Sequence, residues 1–344
     1  MTLTVPTPNG KSLKISFKKL FFPLLIVIVV VIVLFKFSEL KEIGDLFKQA
    51  KWYWLILAFG AQWLNFSFQA NVYRTSFKIL KIPRVPFWEF IKISVTIIFL
   101  NFTIPSLGFA GNIWLLKHLK KHKVKEGRAL LTVVIEFLCF YVALLVLLIL
   151  SLIYLFFKLG HVGHTQQIAV IGLVALVALI LIVIYFFVGN KEKSHKRVVW
   201  LAKKVDRAED GITQEERIQE LLDDFYENSK WLEVNKLKLL QPTAMQFLKF
   251  LSDGLTIFLI FLAFGSVVPI GLGVAAFALG RLFGVLSFIP GGVGAFEASM
   301  VLIFNSLGIS LELSLSVMLI YRLFSFWIYF PLGLVFYRQL DSPC

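Results

Sequence analysis

The chain has 344 residues, of which 58% are hydrophobic and only 16% are charged, and its mean hydropathy is +0.81. Soluble domains contain roughly 45–50% apolar residues, so this composition excludes an ordinary soluble protein. The net charge of +14 does not indicate nucleic-acid binding, because the basic residues concentrate in short loops beside apolar runs, where the positive-inside rule places them. The two cysteines, Cys139 and Cys344, have no disulfide or zinc spacing.

Eight apolar runs are candidates for membrane segments, since a spanning helix needs about 20 mostly apolar residues. The runs cover about 20–38, 52–72, 93–116, 129–157, 168–188, 244–266, 273–308 and 313–337. The first run follows a lysine-rich N-terminus, but it is longer than the apolar core of a signal peptide, about 7–15 residues, and no cleavage site follows it. We therefore expect an uncleaved first helix.

Two of these runs contain residues that interrupt helices. The interrupting residues are Asn101, Pro105, Gly108 and Gly111 in the run at 93–116, and Pro290, Gly291 and Gly292 in the run at 273–308. Proline removes a backbone donor and clashes with the preceding turn, and glycine permits non-helical backbone. The second of these runs is also too long for one helix. We expect each run to form two short arms on either side of a break.

Loop charges predict on which side of the membrane each run begins and ends. The loops at 74–92 and 117–128 are both rich in lysine and arginine, so both should face the cytosol. The run between them then enters and leaves on the same side, as a re-entrant hairpin. The loop around His161 has almost no fixed charge and belongs outside, so the run at 273–308 forms a second hairpin from the opposite face.

The sequence thus predicts an all-α polytopic membrane protein with about six full spans and two re-entrant helical hairpins. We expect a single transmembrane domain over 1–344, with a first inverted half at 52–157, a cytosolic polar connector at 190–240 and a second inverted half at 244–338. Inverted repeats whose broken helices meet near the midplane are typical of transporters. The alternative is eight plain spans with kinks, which places the 117–128 loop outside.

Ionisable groups deep in a membrane are costly and are functional candidates by default. Four such residues lie inside the apolar runs, namely Glu136, Arg281, Glu297 and Arg322. Internal ion pairs that merely hold the helices together explain them nearly as well. Lys249 and Asp253 are four residues apart near the start of a helix, and we expect them to pair with each other and to extend towards the interface.

The second break contains the glycine-rich tip Pro290-Gly291-Gly292-Val293-Gly294. It is not a Walker motif, because no Gly-Lys-Ser/Thr follows. Free backbone N–H groups at the start of a helix nevertheless favour an anion, and the same glycines also permit a tight turn. No H-E-x-x-H or G-x-S-x-G pattern is present, so we expect no enzymatic activity, no metal and no cofactor.

The second break reads Phe288-Ile289-Pro290-Gly291-Gly292-Val293-Gly294-Ala295-Phe296-Glu297, and Arg322-Leu323 follows it. This pattern resembles the flippase-like transmembrane family named for the membrane region of lysylphosphatidylglycerol synthase, in which a Pro-Gly-Gly-hydrophobic-Gly-x-x-Glu stretch precedes a helix with an Arg-Leu pair. The upstream Pro105-Ser106, Gly108 and Gly111 resemble that family's Pro-Ser-x-Gly element.

The chain departs from the family pattern at two positions. Asn112 stands where many members have an acid, and Glu136 lacks the arginine that many members have after it. Because the chain ends at Cys344, we expect a stand-alone member without the soluble synthase domain.

The resemblance implies lipid translocation without lipid synthesis. We expect a flippase or transporter in the cytoplasmic membrane, with both termini cytosolic, that moves an amphiphile with an anionic headgroup, such as a phospholipid or a polyprenyl phosphate. Its partners are then membrane lipids, with a membrane enzyme or a second copy of the chain as further candidates. The expected substrate-binding residues are Pro105, Gly108, Gly111, Asn112, Glu136, Arg281, Pro290, Gly291, Gly292, Gly294, Glu297 and Arg322.

Two alternative functions stay open. The first is a non-transporting membrane scaffold that partners a lipid-modifying enzyme or a glycosyltransferase. The second is an intramembrane enzyme, which the absence of a nucleophile–base pair disfavours.

The two-hairpin topology makes a prediction for thiol labelling in intact cells. With Cys139 and Cys344 replaced by serine, single cysteines at Lys121 and Lys203 should not react with an impermeant thiol reagent, because both positions are predicted to be cytosolic. A cysteine at His161 should react, and all three should react in permeabilised cells. Labelling of position 121 from outside would exclude this topology.

Overall fold

The computed structural model divides the chain into two compact units, Met1–Ala50 and Lys51–Cys344. The described residues are 2–6, 12–16, 48–83, 85–103, 110–159, parts of 170–178 and 223–227, 235–287, 289 and 292–341. The predicted helix at 20–38, most of the run at 168–188 and most of the connector at 190–240 lie outside these residues. Pro105, Gly108, Pro290 and Gly291 lie outside them as well.

The described part of the first unit contains a two-stranded antiparallel hairpin, β1 (Thr2–Pro6) and β2 (Ser12–Ser16). Leu3 pairs with Ile15 and Val5 with Leu13, so the apolar side chains share one face, because side chains alternate along a strand. The sequence analysis did not predict these strands. A period-two pattern over five residues is a weak signal, and a single hairpin is only marginally stable in water.

The described elements of the second unit are helical. They are α1 (Trp52–Ile79), α2 (Phe87–Thr103), α3 (Ala110–Lys121), α4 (Glu126–Leu159), a 3₁₀ turn (Lys236–Leu239), α5 (Leu240–Ala263), α6 (Ile270–Leu286), α7 (Ala295–Ser306), α8 (Leu311–Arg322), a π turn (Leu323–Trp327) and α9 (Tyr329–Asp341). This agrees with the predicted all-α class for the membrane part of the chain.

Both runs with helix-interrupting residues are divided between two helices. The run at 93–116 falls on α2 and α3, and the run at 273–308 falls on α6 and α7. In each case the first helix has 17 residues and the second has 12. At 1.5 Å per residue these helices are about 25 Å and 18 Å long, which is shorter than the roughly 30 Å hydrocarbon core of a bilayer.

Three helical stretches among the described residues are long and apolar enough to cross a membrane: Glu126–Lys158, Lys236–Ala263 and Leu311–Leu340. The last of these combines α8, the π turn and α9. Helix α1 is also long, with 28 residues, and its run at 52–72 was predicted to span. It does not meet the same criterion, because glutamine and asparagine side chains interrupt its apolar surface.

The polar side chains of α1 are buried against α5. The two helices run antiparallel, since Lys51 N donates to the carbonyl oxygen of Ala263 over 2.8 Å, whereas Gln62, eleven residues further along α1, contacts Asp253. Gln62, Asn65 and Gln69 are all buried. A membrane helix tolerates such residues when a neighbouring helix supplies their hydrogen bonds.

The same order of neighbours occurs twice in the described helices. Helices α1 to α4 contact one another in succession, and so do α5 to α8. Helix α9 also packs on α2, and α4 packs on α6. Close approach depends on glycine at several of these contacts: a Cβ on Gly280 of α6 would lie 2.7 Å from Cγ of Met300 on α7. The two short-helix pairs are therefore packed into the bundle.

The tip of the second pair gives a prediction about stability. Gly292 has φ +66°, and a Cβ there would lie 2.8 Å from the Cα of Gly284, whereas Gly294 has φ +87° and open space around it. Gly294→Ala should therefore lower the free energy of unfolding only by the backbone strain, about 1–3 kcal/mol, and Gly292→Ala should lower it further. Thermal unfolding in detergent measures both, and equal losses would contradict the packing argument.

Candidate functional site

A buried carboxylate joins three helices at the centre of the described bundle. Asp253 on α5 is 6% exposed, and its Oδ1 accepts hydrogen bonds from Gln62 Nε2 on α1 at 3.1 Å and from Tyr321 Oη on α8 at 2.9 Å. Gln62 also donates to Thr256 Oγ1 at 3.2 Å. A buried carboxylate is tolerated only with such partners, so Asp253 fixes α1 and α8 relative to α5.

Lys249 lies one turn before Asp253 and also binds α1. Its Nζ donates to Gln69 Oε1 over 2.6 Å, and its carbonyl oxygen accepts from Asn65 Nδ2 at 3.0 Å. The expected direct pair between Lys249 and Asp253 is not formed: in the described contacts each binds partners on other helices, and the two residues affect each other only electrostatically. The reason is that the side-chain amides of α1 lie directly opposite these two residues. They supply hydrogen bonds that a direct Lys249–Asp253 pair would not make.

Glu136 on α4 lies beside this group. It is partly buried and is close enough to Lys249, Arg281 and Gln69 to interact with them electrostatically. Of the four charged residues predicted from the apolar runs, Glu136 is thus the one that links the first half of the chain to the buried polar residues around Lys249 and Asp253.

Arg281 on α6 has no carboxylate partner within ion-pair distance among the described residues. Its guanidinium lies 5.3 Å from the ring centre of Phe140, and its Nε is buried without a hydrogen-bond partner in that part of the chain. Asp253, Tyr321 and Arg322 are close enough to affect it electrostatically. Among the residues that the structure describes, this interior positive charge therefore has no direct counter-ion.

Arg322 forms the ion pair that the sequence analysis weighed. Its Nε lies 2.5 Å from Glu297 Oε1, and its guanidinium lies 4.5 Å from the ring centre of Phe296 and 5.9 Å from that of Phe102. Phe296 belongs to the second short-helix pair and Phe102 to the first. Arg322 is thus the place where the two pairs meet. Its Nη2 is buried without a hydrogen-bond partner among the described residues.

Each short-helix pair closes its break with a side chain that accepts from a glycine N–H. In the second pair Glu297 Oε2 accepts from Gly294 N at 2.7 Å, and in the first pair Asn101 Oδ1 accepts from Gly111 N at 2.7 Å. Asn112, which stands where many family members have an acid, is buried, and its Oδ1 has no partner in the described structure. The helix starts after both breaks are therefore capped by side chains.

The formal charges of the polar centre balance as a whole but not locally. Three bases and three acids contribute, namely Lys249, Arg281, Arg322, Glu136, Asp253 and Glu297. Glu297 lies against Arg322, and the hydrogen bonds that Asp253 accepts from described residues come from neutral donors. The region around Arg281 and Arg322 therefore contains two guanidinium groups and one directly bound carboxylate.

The structure brings together some of the predicted site residues and separates others. Arg281, Glu136, Arg322 and Glu297 belong to one connected group, whereas Gly111 and Asn112 lie in the first pair and are not described in contact with it. Pro105, Gly108, Pro290 and Gly291 lie outside the described residues. The sequence analysis missed Tyr321 and the amides of α1. The spacing of Gln62, Asn65 and Gln69, three and four residues apart, was a readable signal of one polar helix face.

The hydrogen bonds of Asp253 yield a second stability prediction. Tyr321→Phe removes a donor to a carboxylate and should lower the free energy of unfolding by about 1.5–3 kcal/mol. Asp253→Ala should cost more, because it removes the acceptor of both Tyr321 and Gln62. Asp253→Asn should cost less than Asp253→Ala, because the amide oxygen still accepts. Tyr141→Phe is the matched control, since no described residue hydrogen-bonds to its hydroxyl. Equal unfolding for Tyr321→Phe and the control would contradict the network.

Comparison with known proteins identifies the family. Two UPF0104 membrane proteins of Methanothermobacter thermautotrophicus are 36% identical over 92 residues (27% of this chain, 28% of the relative) and 28% identical over 119 residues (35% of each). A UPF0104 membrane protein of Methanocaldococcus jannaschii is 25% identical over 165 residues, 46% of this chain and 49% of the relative. The matched part of the chain thus covers 28% to 49% of the length of these relatives. Residues 20–333 match the family described as Lysylphosphatidylglycerol synthase TM region, which confirms the resemblance seen around Glu297, and the chain is a membrane protein that belongs to this family.

Proposed function

We propose that this protein translocates an amphiphile with an anionic headgroup, of the phospholipid or polyprenyl-phosphate type, across the cytoplasmic membrane. The observation that carries the proposal is Arg281, an interior guanidinium without a carboxylate in contact among the described residues. A charged side chain at the bilayer centre costs about 2.5–3.5 kcal/mol on insertion scales. An anionic headgroup would offset that cost while it is bound.

The second arginine supports the same site. Arg322 is paired on one side with Glu297, but its Nη2 has no described partner, and Arg281 and Arg322 are close enough to repel each other electrostatically. Guanidinium groups bind phosphate oxygens in bidentate geometry. A phosphate between the two arginines would relieve their repulsion and accept from the unpaired N–H groups.

The helix lengths support a transport architecture. We take the α2–α3 and α6–α7 pairs as the two re-entrant hairpins of an inverted repeat, because none of these four helices is long enough to cross the bilayer alone. The basic loops on both sides of α2–α3 favour a cytosolic position for its two ends, and both termini of the chain would then be cytosolic. Discontinuous helices that meet near the midplane form the substrate sites of many transporters.

In this proposal the headgroup follows the polar centre while the hydrocarbon tails stay in lipid. Gln69, Lys249 and Asp253 extend the polar surface along the α1–α5 pair, so hydrogen-bonding groups continue beyond the two arginines. The residues that we assign to headgroup binding make no covalent bond in this scheme, and we propose a transporter rather than an enzyme.

Reconstitution into vesicles tests the proposal. Protein in vesicles that carry fluorescent phosphatidylglycerol, phosphatidylcholine or a polyprenyl phosphate should move the anionic lipids faster than the zwitterionic one, as read by quenching of the outer leaflet. Arg281→Gln should reduce movement of the anionic lipids at least about tenfold, because the loss of one buried charge-assisted contact costs about 1.5–3 kcal/mol. Arg74→Gln, an exposed arginine on α1, should leave the rate unchanged.

A charge swap separates headgroup binding from a purely structural role. Glu297→Arg combined with Arg322→Glu retains an ion pair but moves the positive charge to α7. Normal lipid movement by the swapped protein would show that the pair is structural and that Arg322 does not bind the headgroup. We expect instead a folded protein with impaired transport.

A further inference from the structure

Glu136 is the acid of the polar centre that has the fewest direct contacts among the described residues. Asp253 accepts hydrogen bonds from two neutral side chains, and Glu297 binds Arg322 and caps α7. Glu136 forms no ion pair with a described residue and is partly exposed within the bundle. A proton on Glu136 therefore breaks fewer contacts than a proton on either of the other two carboxylates.

Glu136 lies deep in the membrane part of α4 and faces the arginines. It is ten residues after the start of α4 at Glu126, or about 15 Å along the helix, which places it well inside the roughly 30 Å hydrocarbon core. Phe140, one turn later, shares its face. The ring centre of Phe140 lies 5.3 Å from the guanidinium carbon of Arg281 and 5.3 Å from the ring centre of Phe250. This face of α4 therefore packs towards Arg281 and α5.

Titratable groups on three neighbouring helices and on α4 itself interact with Glu136. They are Tyr73 on α1, Cys139 and Tyr141 on α4, Lys249 on α5 and Arg281 on α6, and no group of α3 is among them in the described part of the chain. The two cations favour the ionised carboxylate, whereas burial disfavours it. The protonation of Glu136 therefore depends on how much of the positive charge beside it is free.

An anionic headgroup changes that charge. The described residues of the polar centre contribute three bases and three acids, so one bound phosphodiester leaves an excess negative charge, which is costly in the membrane interior. One proton restores neutrality. A phosphate on Arg281 also cancels a cation that keeps Glu136 ionised. Headgroup binding and proton uptake therefore favour each other, and this coupling is reciprocal.

We propose that the protein moves each lipid anion together with one proton, which Glu136 carries. A carboxylate oxygen of Glu136 takes the proton from water when the headgroup binds and returns it to water when the headgroup leaves on the other side. Only the O–H bond to that oxygen forms and breaks. The inference rests on the proposed function and names the coupling ion of the same site. Movement of one monoanion with one proton is electroneutral, so a pH difference drives it and the membrane potential does not.

The distribution of trace fluorescent phosphatidylglycerol in vesicles tests the coupling. With the interior one pH unit more alkaline than the exterior, the ratio of inner to outer label should rise from about one to about ten, because one proton accompanies each lipid. Quenching of the outer leaflet measures this ratio. A potassium diffusion potential at equal pH should leave the ratio at about one.

Two results of this experiment contradict different claims. Lipid that moves but stays evenly distributed under the pH difference, or that follows the potential, would overturn proton coupling. Absence of any protein-dependent movement would overturn the proposed function itself and the inference with it.

Substitution of Glu136 tests the assignment of the carrier. Glu136→Gln cannot exchange a proton, so the ratio under the pH difference should fall back to about one. Glu312→Gln is the matched control and should keep the tenfold ratio, since Glu312 is also partly buried but lies in the first turn of α8, ten residues before Arg322. A tenfold ratio in Glu136→Gln would overturn the assignment.

Proton uptake on binding provides a readout that does not require transport. Calorimetry with dihexanoyl phosphatidylglycerol in detergent, repeated in buffers of different ionisation enthalpy between about pH 5 and 8, measures the protons taken up with the ligand. Uptake is expected for the unmodified protein and for Glu312→Gln, and none for Glu136→Gln, with thermal unfolding to show that each variant is folded. Binding without uptake by the unmodified protein across this range would overturn the inference.

Discussion

The constraint on which the described structure depends is that hydrogen-bonding groups inside a membrane must find partners within the protein. Helix α1 carries glutamines and an asparagine that lipid would not solvate, and α5 carries a carboxylate and an ammonium group. Each helix supplies what the other lacks: Gln62 donates to Asp253, and Gln69 accepts from Lys249. The hydrogen bonds between α1 and α5 therefore fix how each helix is rotated about its own axis, independently of the apolar contacts.

Helix α8 is placed by the same carboxylate. Because Tyr321 donates to Asp253, the next residue, Arg322, projects about 100° further round the helix and meets Glu297 on α7. The π turn follows at once, with Ile328 N donating to the carbonyl oxygen of Leu323 at 3.1 Å. A π turn inserts a residue into the helix, so it changes which face of α9 meets its neighbours. Gly333 of α9 then packs closely on Phe99 of α2.

The sequence predicted the local features of the fold better than its tertiary ones. The breaks near Gly111 and Gly292 were readable because proline and glycine act on their own backbone, and the described helices end and begin beside them. The interior charges were readable because they stand out in apolar runs. The partners of Lys249 and Asp253 could not be predicted, because they depend on which face of α5 meets α1. The sequence showed only that these two residues could pair with each other within one helix.

Two further features had little or no signal. The π turn after Arg322 has no local sequence motif, and the strands at the N-terminus rest on two short alternating patterns. The candidate site could therefore be predicted only in part. Arg281, Glu297 and Arg322 could be named from the sequence. The polar surface of α1 and Tyr321, which position the helices that carry them, became visible only in the folded structure.

Glu297 links the geometry of the glycine tip to the charge of the centre. One of its carboxylate oxygens accepts from Gly294 N and so caps the start of α7, while the other lies against Arg322. The two contacts use different oxygens of one carboxylate, so this single side chain ties the start of α7 to α8. In the proposed function, an anion that draws Arg322 away from Glu297 would weaken the tie between α8 and the tip, while the cap on α7 would stay in place. The position of the second short-helix pair would then be coupled to the occupancy of the arginines through Glu297, the glutamate that follows the break in the sequence.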